Sequence, residues 1–383
     1  RGGAHARAAK KELANFELRS GLELAMLAVQ LQLQLFGVFV TPRAPPPRLV
    51  ATAAPSTNSA PRAPPPRLVA TAAPSTAAER VCSPGTLASR IEDAVFQVYG
   101  GAGTERVRRS LEAINTDEFL DRPVGESGHE LMVQQARSWI DGLSATPWHD
   151  AYAHKWAKKL KQKWAVVRDE LRGQLATGDA LAEGGTNVWD ATAPGDYGVE
   201  WKTLPLCDRT VWDATNSALF PRTCELLQAC KVPLIEAFFA KMEPHSDIKP
   251  HSDGCNFVLT SHLGVDVPEG QCDLTVGDTT VEWRNGEVTL FDTSILHKAE
   301  NRADVTRYIL MLRVYHPELT AAERAALQLT FDCLDEPELL DDADALGEYE
   351  LRRRHLEAES RKPWEAALAQ KGFAKKGGKK KKR

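Results

Sequence analysis

The chain has 383 residues, which suits two domains or one domain with long extensions. Its 43% hydrophobic and 26% charged residues are ordinary for a globular protein, and a net charge of -4 excludes a global basic field that would attract nucleic acid. Cys82, Cys207, Cys224, Cys230, Cys255, Cys272 and Cys333 are odd in number and lack metal-ligand spacing. They read mostly as free thiols or core residues, with one or two bridges left open.

Residues 21–40, GLELAMLAVQLQLQLFGVFV, form an apolar stretch preceded by Arg7, Lys10, Lys11 and Arg19. Length and flank suit a membrane helix or signal anchor, hence membrane association. Gln30, Gln32 and Gln34 favour the alternative, an amphipathic helix. PRAPPPRLVATAAPST then occurs at 42–57 and again at 61–76, too short and proline-rich to bury a core. No acidic residue stands between Leu24 and Ala78, a transit-peptide composition. The segment resembles the two-part targeting sequence of algae with complex plastids, reached by the secretory route. The rival is a stalk that tethers a domain in the ER or Golgi lumen. Residues 1–80 are set aside from the fold.

Residues 81–180 read as a helical region. SRIEDAVFQVY, GHELMVQQARSWIDGL and DAYAHKWAKKLKQKWAVVRDELRGQL repeat apolar residues every three or four positions, with Trp156 and Trp164 as packing residues. These helices either hold a substrate or cover a sheet, and the second is favoured. From 181 to 335 short β-rich runs alternate with turn signals: VPLIEAFFAKM, NFVLTSHLGV, DLTVGDTTVEW, EVTLFDTS and RYILMLRVYH. Asn285-Gly286 between two of them predicts a hairpin. The pattern indicates a sandwich or barrel. Thr320 and Glu323 then form a capping box for a helix. Residues 336–383 read as helix followed by a solvated basic tail, KKGGKKKKR.

His251 and Asp253 are two apart, so on a strand they share a face and can hold one metal together. His297 follows the run EVTLFDTS and can return opposite them. Two histidines and one carboxylate form the facial set that suits Fe(II) oxygenases. Otherwise each histidine is a hydrogen-bonded core or surface residue. Arg307 opens the run RYILMLRVYH, where a guanidinium facing an apolar cavity needs an anion such as a dicarboxylate. The alternative is a surface arginine paired with Asp304 or Glu300. His245, His316 and His355 have no partner pattern, and Trp201, Trp212 and Trp283 read as packing residues.

The stretch from Trp201 to Asp332, with PHSDGCNFVLTSHLGV, GEVTLFDTSILH, Arg307 and VYHPELT, resembles the aspartyl/asparaginyl β-hydroxylase family. Weaker similarity runs back through FPRTCELL and WAVVRDEL. The resemblance implies an α+β fold: a double-stranded β-helix (jelly-roll, cupin-like) core beside the N-terminal helical region. It implies a dioxygenase that uses Fe(II), 2-oxoglutarate and dioxygen to hydroxylate an unactivated carbon. His251 and His297 match its metal ligands, Arg307 the residue that grips the far carboxylate of 2-oxoglutarate, and His262 a histidine near the co-substrate. Met242 aligns with a cavity methionine, though a core methionine is the commoner state.

Departures from the family pattern bear on the substrate. Animal peptide hydroxylases have glycine where Asp253 stands, and arginines at the positions of Val258 and Thr260. Ala240 replaces a serine that helps hold the co-substrate. The implied substrate is a peptidyl Asp or Asn side chain. A lipid acyl chain or small molecule is the alternative, as is a non-catalytic binding or sensor module. The intact set His251, Asp253, His297 and Arg307 opposes that last reading. The sequence leaves oligomeric state open.

Overall fold

A computed structural model of the chain describes residues 80–116, 118–177, 190–191 and 201–370. The segment 21–40, the duplicated repeat and the basic tail lie outside them. Among the described residues no helix is long and apolar enough to cross a membrane. All seven cysteines are buried and free, so none forms a bridge.

The core is built from strands that alternate between two facing sheets. After β1 Leu120–Pro123, β2 Val133–Ser138, β3 Asp190–Ala191, β4 Trp201–Asp208 and β5 Val211–Trp212 come β6 Leu234–Met242, β7 Ser246–His251, β8 Gly254–Cys255 and β9 Val258–Asp266. Then follow β10 Cys272–Val276, β11 Thr279–Glu282, β12 Val288–Asp292, β13 His297–Asn301 and β14 Arg307–Tyr315. The major sheet has seven strands, in the order β12-β9-β14-β6-β4-β3 with β5 beside β4. The minor sheet runs β11-β10-β13-β7. From β6 onward the chain passes repeatedly from one sheet to the other, which is the double-stranded β-helix. With helices outside the sheets, the class is α+β.

Strand β14 is buried on both faces, and its alternate side chains enter different clusters. Leu310, Leu312 and Val314 point outward into one apolar cluster, while Ile309 and Met311 point inward into another with Ile248, Leu274 and Ala299 of the minor sheet. The outward face is covered by α3 Lys155–Thr177, which follows α1 Leu87–Tyr99 and α2 Glu105–Ser110. Trp156, Leu160, Val167 and Leu171 of α3 recur at helical spacing and are buried there, so this helix covers the sheet as expected. Further on come α4 Ala214–Leu219 and α5 Pro221–Cys230, then α6 Ala321–Asp335, α7 Ala343–Gly347 and α8 Tyr349–Gln370. The capping box Thr320–Glu323 opens α6, and Glu323 also pairs with Arg106 of α2 at 2.6 Å.

Two expectations are corrected. GHELMVQQARSWIDGL is not a helix. Met132, Ala136, Trp139 and Ile140 mimic helical spacing, yet Gln134, Ala136 and Ser138 are the buried positions of strand β2. Partners from elsewhere in the chain decide this: Gln135 N donates to Ser294 O, Leu296 N donates to Val133 O, and β2 runs parallel to β8. The region 81–180 is therefore helical only in part. Asn285-Gly286 is not a hairpin turn either, because β11 pairs with β10 and β12 with β9. Here the chain crosses from the minor to the major sheet, and the Asn285 side chain clasps both the N–H and the C=O of Val267 at 2.9 Å. The tight hairpin is Gly277-Asp278, between Val276 and Thr279, with Gly277 at φ 59°.

Candidate active site

The ladder between β7 and β13 sets His251 directly opposite His297. Their ring centroids are 4.2 Å apart. The chain leaves β7 at His251, so Asp253 lies in the break before β8 rather than on the strand. Its backbone is pinned there by Asp253 N donating to Thr293 O at 2.8 Å. One ligand atom from each of His251, Asp253 and His297 lies within 4.8 Å of the others, and all three residues are buried. No other such group of His, Cys, Asp or Glu occurs among the described residues.

Both histidines are oriented from behind. His251 Nδ1 bonds Lys249 O at 2.8 Å, and His297 Nδ1 bonds Ile295 O at 3.0 Å. A carbonyl accepts only, so Nδ1 carries the proton and Nε2 presents its lone pair, as metal-ligating imidazoles require. Burial, reinforced by His251, pushes His297 down to about 4, which keeps it neutral near pH 7. The turn before His297 is held by Asp292, whose Oδ1 accepts from Ser294 N at 2.9 Å and whose Oδ2 accepts from Gln134 Nε2 of β2 at 3.1 Å. Burial raises this carboxyl to about 6.

A small cavity of about 20 Å³ adjoins the cluster, lined by Trp201, Ile248, His251, Asp253, His262, Leu274, Trp283, Phe291, His297, Ala299 and Met311. Arg307 is fully buried and stacks on two of the walls, its guanidinium 4.2 Å from the Trp283 ring and 5.3 Å from Trp201. Its Nη2 donates to Met242 Sδ at 3.3 Å, while Nε and Nη1 have no partner among the described residues. Among the described residues no carboxylate answers this charge, and burial pushes the guanidinium down to about 9. His262 accepts from Trp283 Nε1 at 3.1 Å through Nδ1, which leaves Nε2 as a buried donor without a partner. Burial, then Arg307, holds this imidazole well below its ordinary range.

The site residues expected from sequence therefore converge: His251, Asp253 and His297 meet, with His262 and Arg307 beside the same cavity. Ala240 lies in the inner cluster opposite Ile309. Met242 holds Arg307 rather than lining the cavity. Trp212 packs on Trp364 as expected, but Trp201 and Trp283 are walls of the site and not merely packing residues. His245 is exposed beside Asp304, His355 is exposed, and His316 is buried edge-on to His149. Sequence reading also missed Gln134 and Arg313. Arg313 had a usable signal: it stands six residues after Arg307, an even spacing that puts both on the inner face.

Residues 161–317 match the family model described as Aspartyl/Asparaginyl beta-hydroxylase. That span holds the whole cluster, and it shows the resemblance read from the sequence. The chain is 27% identical to human "Aspartyl/asparaginyl beta-hydroxylase" over 64% of this chain and 31% of the relative. It is 33% identical to human "Aspartate beta-hydroxylase domain-containing protein 2" over 34% of this chain and 38% of that protein. The "Ornithine lipid ester-linked acyl 2-hydroxylase" of Rhizobium tropici is 28% identical over 52% of this chain and 72% of its own. The chain spans about a third of the length of the first of these relatives. A solved "non-heme alpha ketoglutarate dependent epimerase SnoN from nogalamycin biosynthesis" is similar at 18% identity and TM-score 0.26, over 38% of this chain and 72% of that one. The strand order, not that loose superposition, defines the fold of this chain.

Proposed function

We propose that this chain is an Fe(II)- and 2-oxoglutarate-dependent dioxygenase that hydroxylates an unactivated carbon. One observation carries the reading. A His–Asp–His cluster lies in a cavity whose walls Trp201 and Trp283 also pack on a fully buried guanidinium, that of Arg307, which no carboxylate among the described residues answers. A buried charge without a partner is costly, so a site keeps one where a ligand brings the opposite charge.

The residues fit both groups. His251 Nε2, His297 Nε2 and one Asp253 oxygen would hold the metal, a donor set suited to Fe(II) with open positions. Arg307 Nε and Nη1 would receive the far carboxylate of the keto acid, and His262 Nε2 is a further donor within the same walls. The bound iron and keto acid would supply activation of dioxygen. The protein orients these groups and keeps water out with Ile248, Leu274, Phe291 and Met311.

A peptidyl Asp or Asn side chain is the substrate that the family name suggests. A lipid acyl chain is the second reading. It is favoured because Val258 and Thr260 are both buried and uncharged, so those positions offer no cation to an acidic peptide. The test is incubation with Fe(II), 2-oxoglutarate and dioxygen, followed by mass spectrometry of Asp/Asn peptides and acyl lipids. A gain of one oxygen on either, matched by succinate, supports the reaction. Succinate at background with every substrate contradicts it.

A further inference from the structure

Arg313 is 1% exposed, on the inner face of β14. Its Nη1 is 3.6 Å from Asp253 Oδ2, and its Nε is 3.8 Å from Glu236 Oε2. Glu236 stands directly across the ladder on β6 and is itself buried. Asp253 thus divides its oxygens: Oδ2 faces Arg313, and Oδ1 lies 4.0 Å from His251 Nε2. The main chain of Asp253 is already fixed by Thr293. Arg313 is a cation that meets its carboxylate.

A buried run of carboxylate, guanidinium and carboxylate is a poor device for stability alone, since apolar residues of like volume often serve as well. It is a good device for direction. The guanidinium is planar and addresses two carboxylates in a fixed geometry, which a lysine with its rotatable donors does not impose. We propose that Arg313 is a positioning residue. It holds the rear oxygen of Asp253 so that the front oxygen faces His251 and His297, and Glu236 anchors Arg313 from behind. This rests on the reading of Asp253 as a metal ligand.

The test is anaerobic Co(II) titration of the full chain, reading affinity and the visible spectrum, in wild type, Arg313→Lys, Arg313→Met, Glu236→Gln and Asp253→Gly. Arg313→Met weakens Co(II) binding roughly 10–100-fold, the usual cost of losing a group that orients a ligand. Arg313→Lys and Glu236→Gln fall between it and wild type, with an altered spectrum. In the Asp253→Gly background Arg313→Met changes affinity by about twofold at most, because its effect passes through Asp253. Unchanged affinity in Arg313→Met overturns the proposal, and so does an equal loss in both backgrounds. Where Arg313→Met does not fold, folded Arg313→Lys and Glu236→Gln with the wild-type spectrum overturn it. A wild-type chain that binds no Co(II) overturns the functional reading and this proposal with it, a result set apart because the wild type itself fails.

Discussion

His251 and His297 face each other across adjacent antiparallel strands, in register and with ring centroids 4.2 Å apart. Forty-six positions of sequence separate them, so sheet pairing brings the two imidazoles together and not local structure. Each ring is oriented by the carbonyl two residues before it, Lys249 O and Ile295 O. The geometry therefore depends on backbone register, which the surrounding core fixes.

Arg307→Ala should raise the apparent KM for 2-oxoglutarate strongly and leave Fe(II) affinity nearly unchanged. Truncating one partner of a buried charge-assisted pair costs about 2–5 kcal/mol. Arg307→Lys should rescue only in part. Because no carboxylate among the described residues answers Arg307, Arg307→Met should not lower thermal stability in the absence of co-substrate. Steady-state kinetics and melting curves check both, and unchanged co-substrate dependence would assign the anion to another residue.

Gly264→Ala should unfold the crossing between the sheets. A Cβ at Gly264 would sit 2.2 Å from Arg284 O, which is backbone and cannot swing away. The same glycine bonds Glu287 O at 3.1 Å and receives Gly286 N at 2.9 Å, so the segment is held close from both sides. The cost should exceed the ~1–3 kcal/mol usual for overpacking. Urea unfolding measures it; a change under ~0.5 kcal/mol, the range of an ordinary surface site, would contradict this.

The pH response follows from His149. Burial, aided by His316, lowers it from 6.5 to about 4. Between those values the unfolded chain takes up a proton that the folded chain refuses. His149 therefore contributes stability above pH 6.5 and loses that contribution as pH falls toward 4. Glu236 and Asp292, whose carboxyls burial raises, act in the opposite sense, so the signal is read by difference. The gap in melting temperature between wild type and His149→Gln should shrink from pH 7 to pH 4. A constant gap would contradict the assignment.

The long-range features were the hard ones to read in sequence. His251, Asp253, His297 and Arg307 were legible because their types and spacings carry chemistry. The capping box at Thr320 was legible because it is local. Strand β2 was not: its apolar residues fit a helix, and only pairing with β8 and the Ser294 turn makes it a strand. The Asn285 crossing was misread because a hairpin and a sheet-to-sheet turn share one dipeptide. Trp201 and Trp283 looked like core residues, since nothing local says that the face they cover belongs to Arg307.

A chain that starts at Arg80 should keep fold and metal affinity, because residues 1–79 are dominated by an acid-poor proline/alanine composition unsuited to a core. The cut should come no later, because Val81 N and Cys82 N both donate to Glu92, at 2.8 and 2.9 Å, and Cys82 is buried. A start at Ser83 should lower the melting temperature relative to a start at Arg80. Identical melting of the two would contradict the role given to this contact.

The most direct measurement is anaerobic Fe(II) titration of wild type and Asp253→Gly, followed by 2-oxoglutarate and dioxygen with succinate counted. Asp253 is 3% exposed and clustered with His251 and His297, so the glycine variant removes one of three ligands and one charge. The account predicts saturable Fe(II) binding and succinate formation in wild type. In Asp253→Gly it predicts affinity reduced well beyond the roughly 100-fold limit of changes outside the ligand set, with turnover nearly abolished. Equal iron affinity and comparable succinate from the two chains would contradict it and leave a two-histidine site.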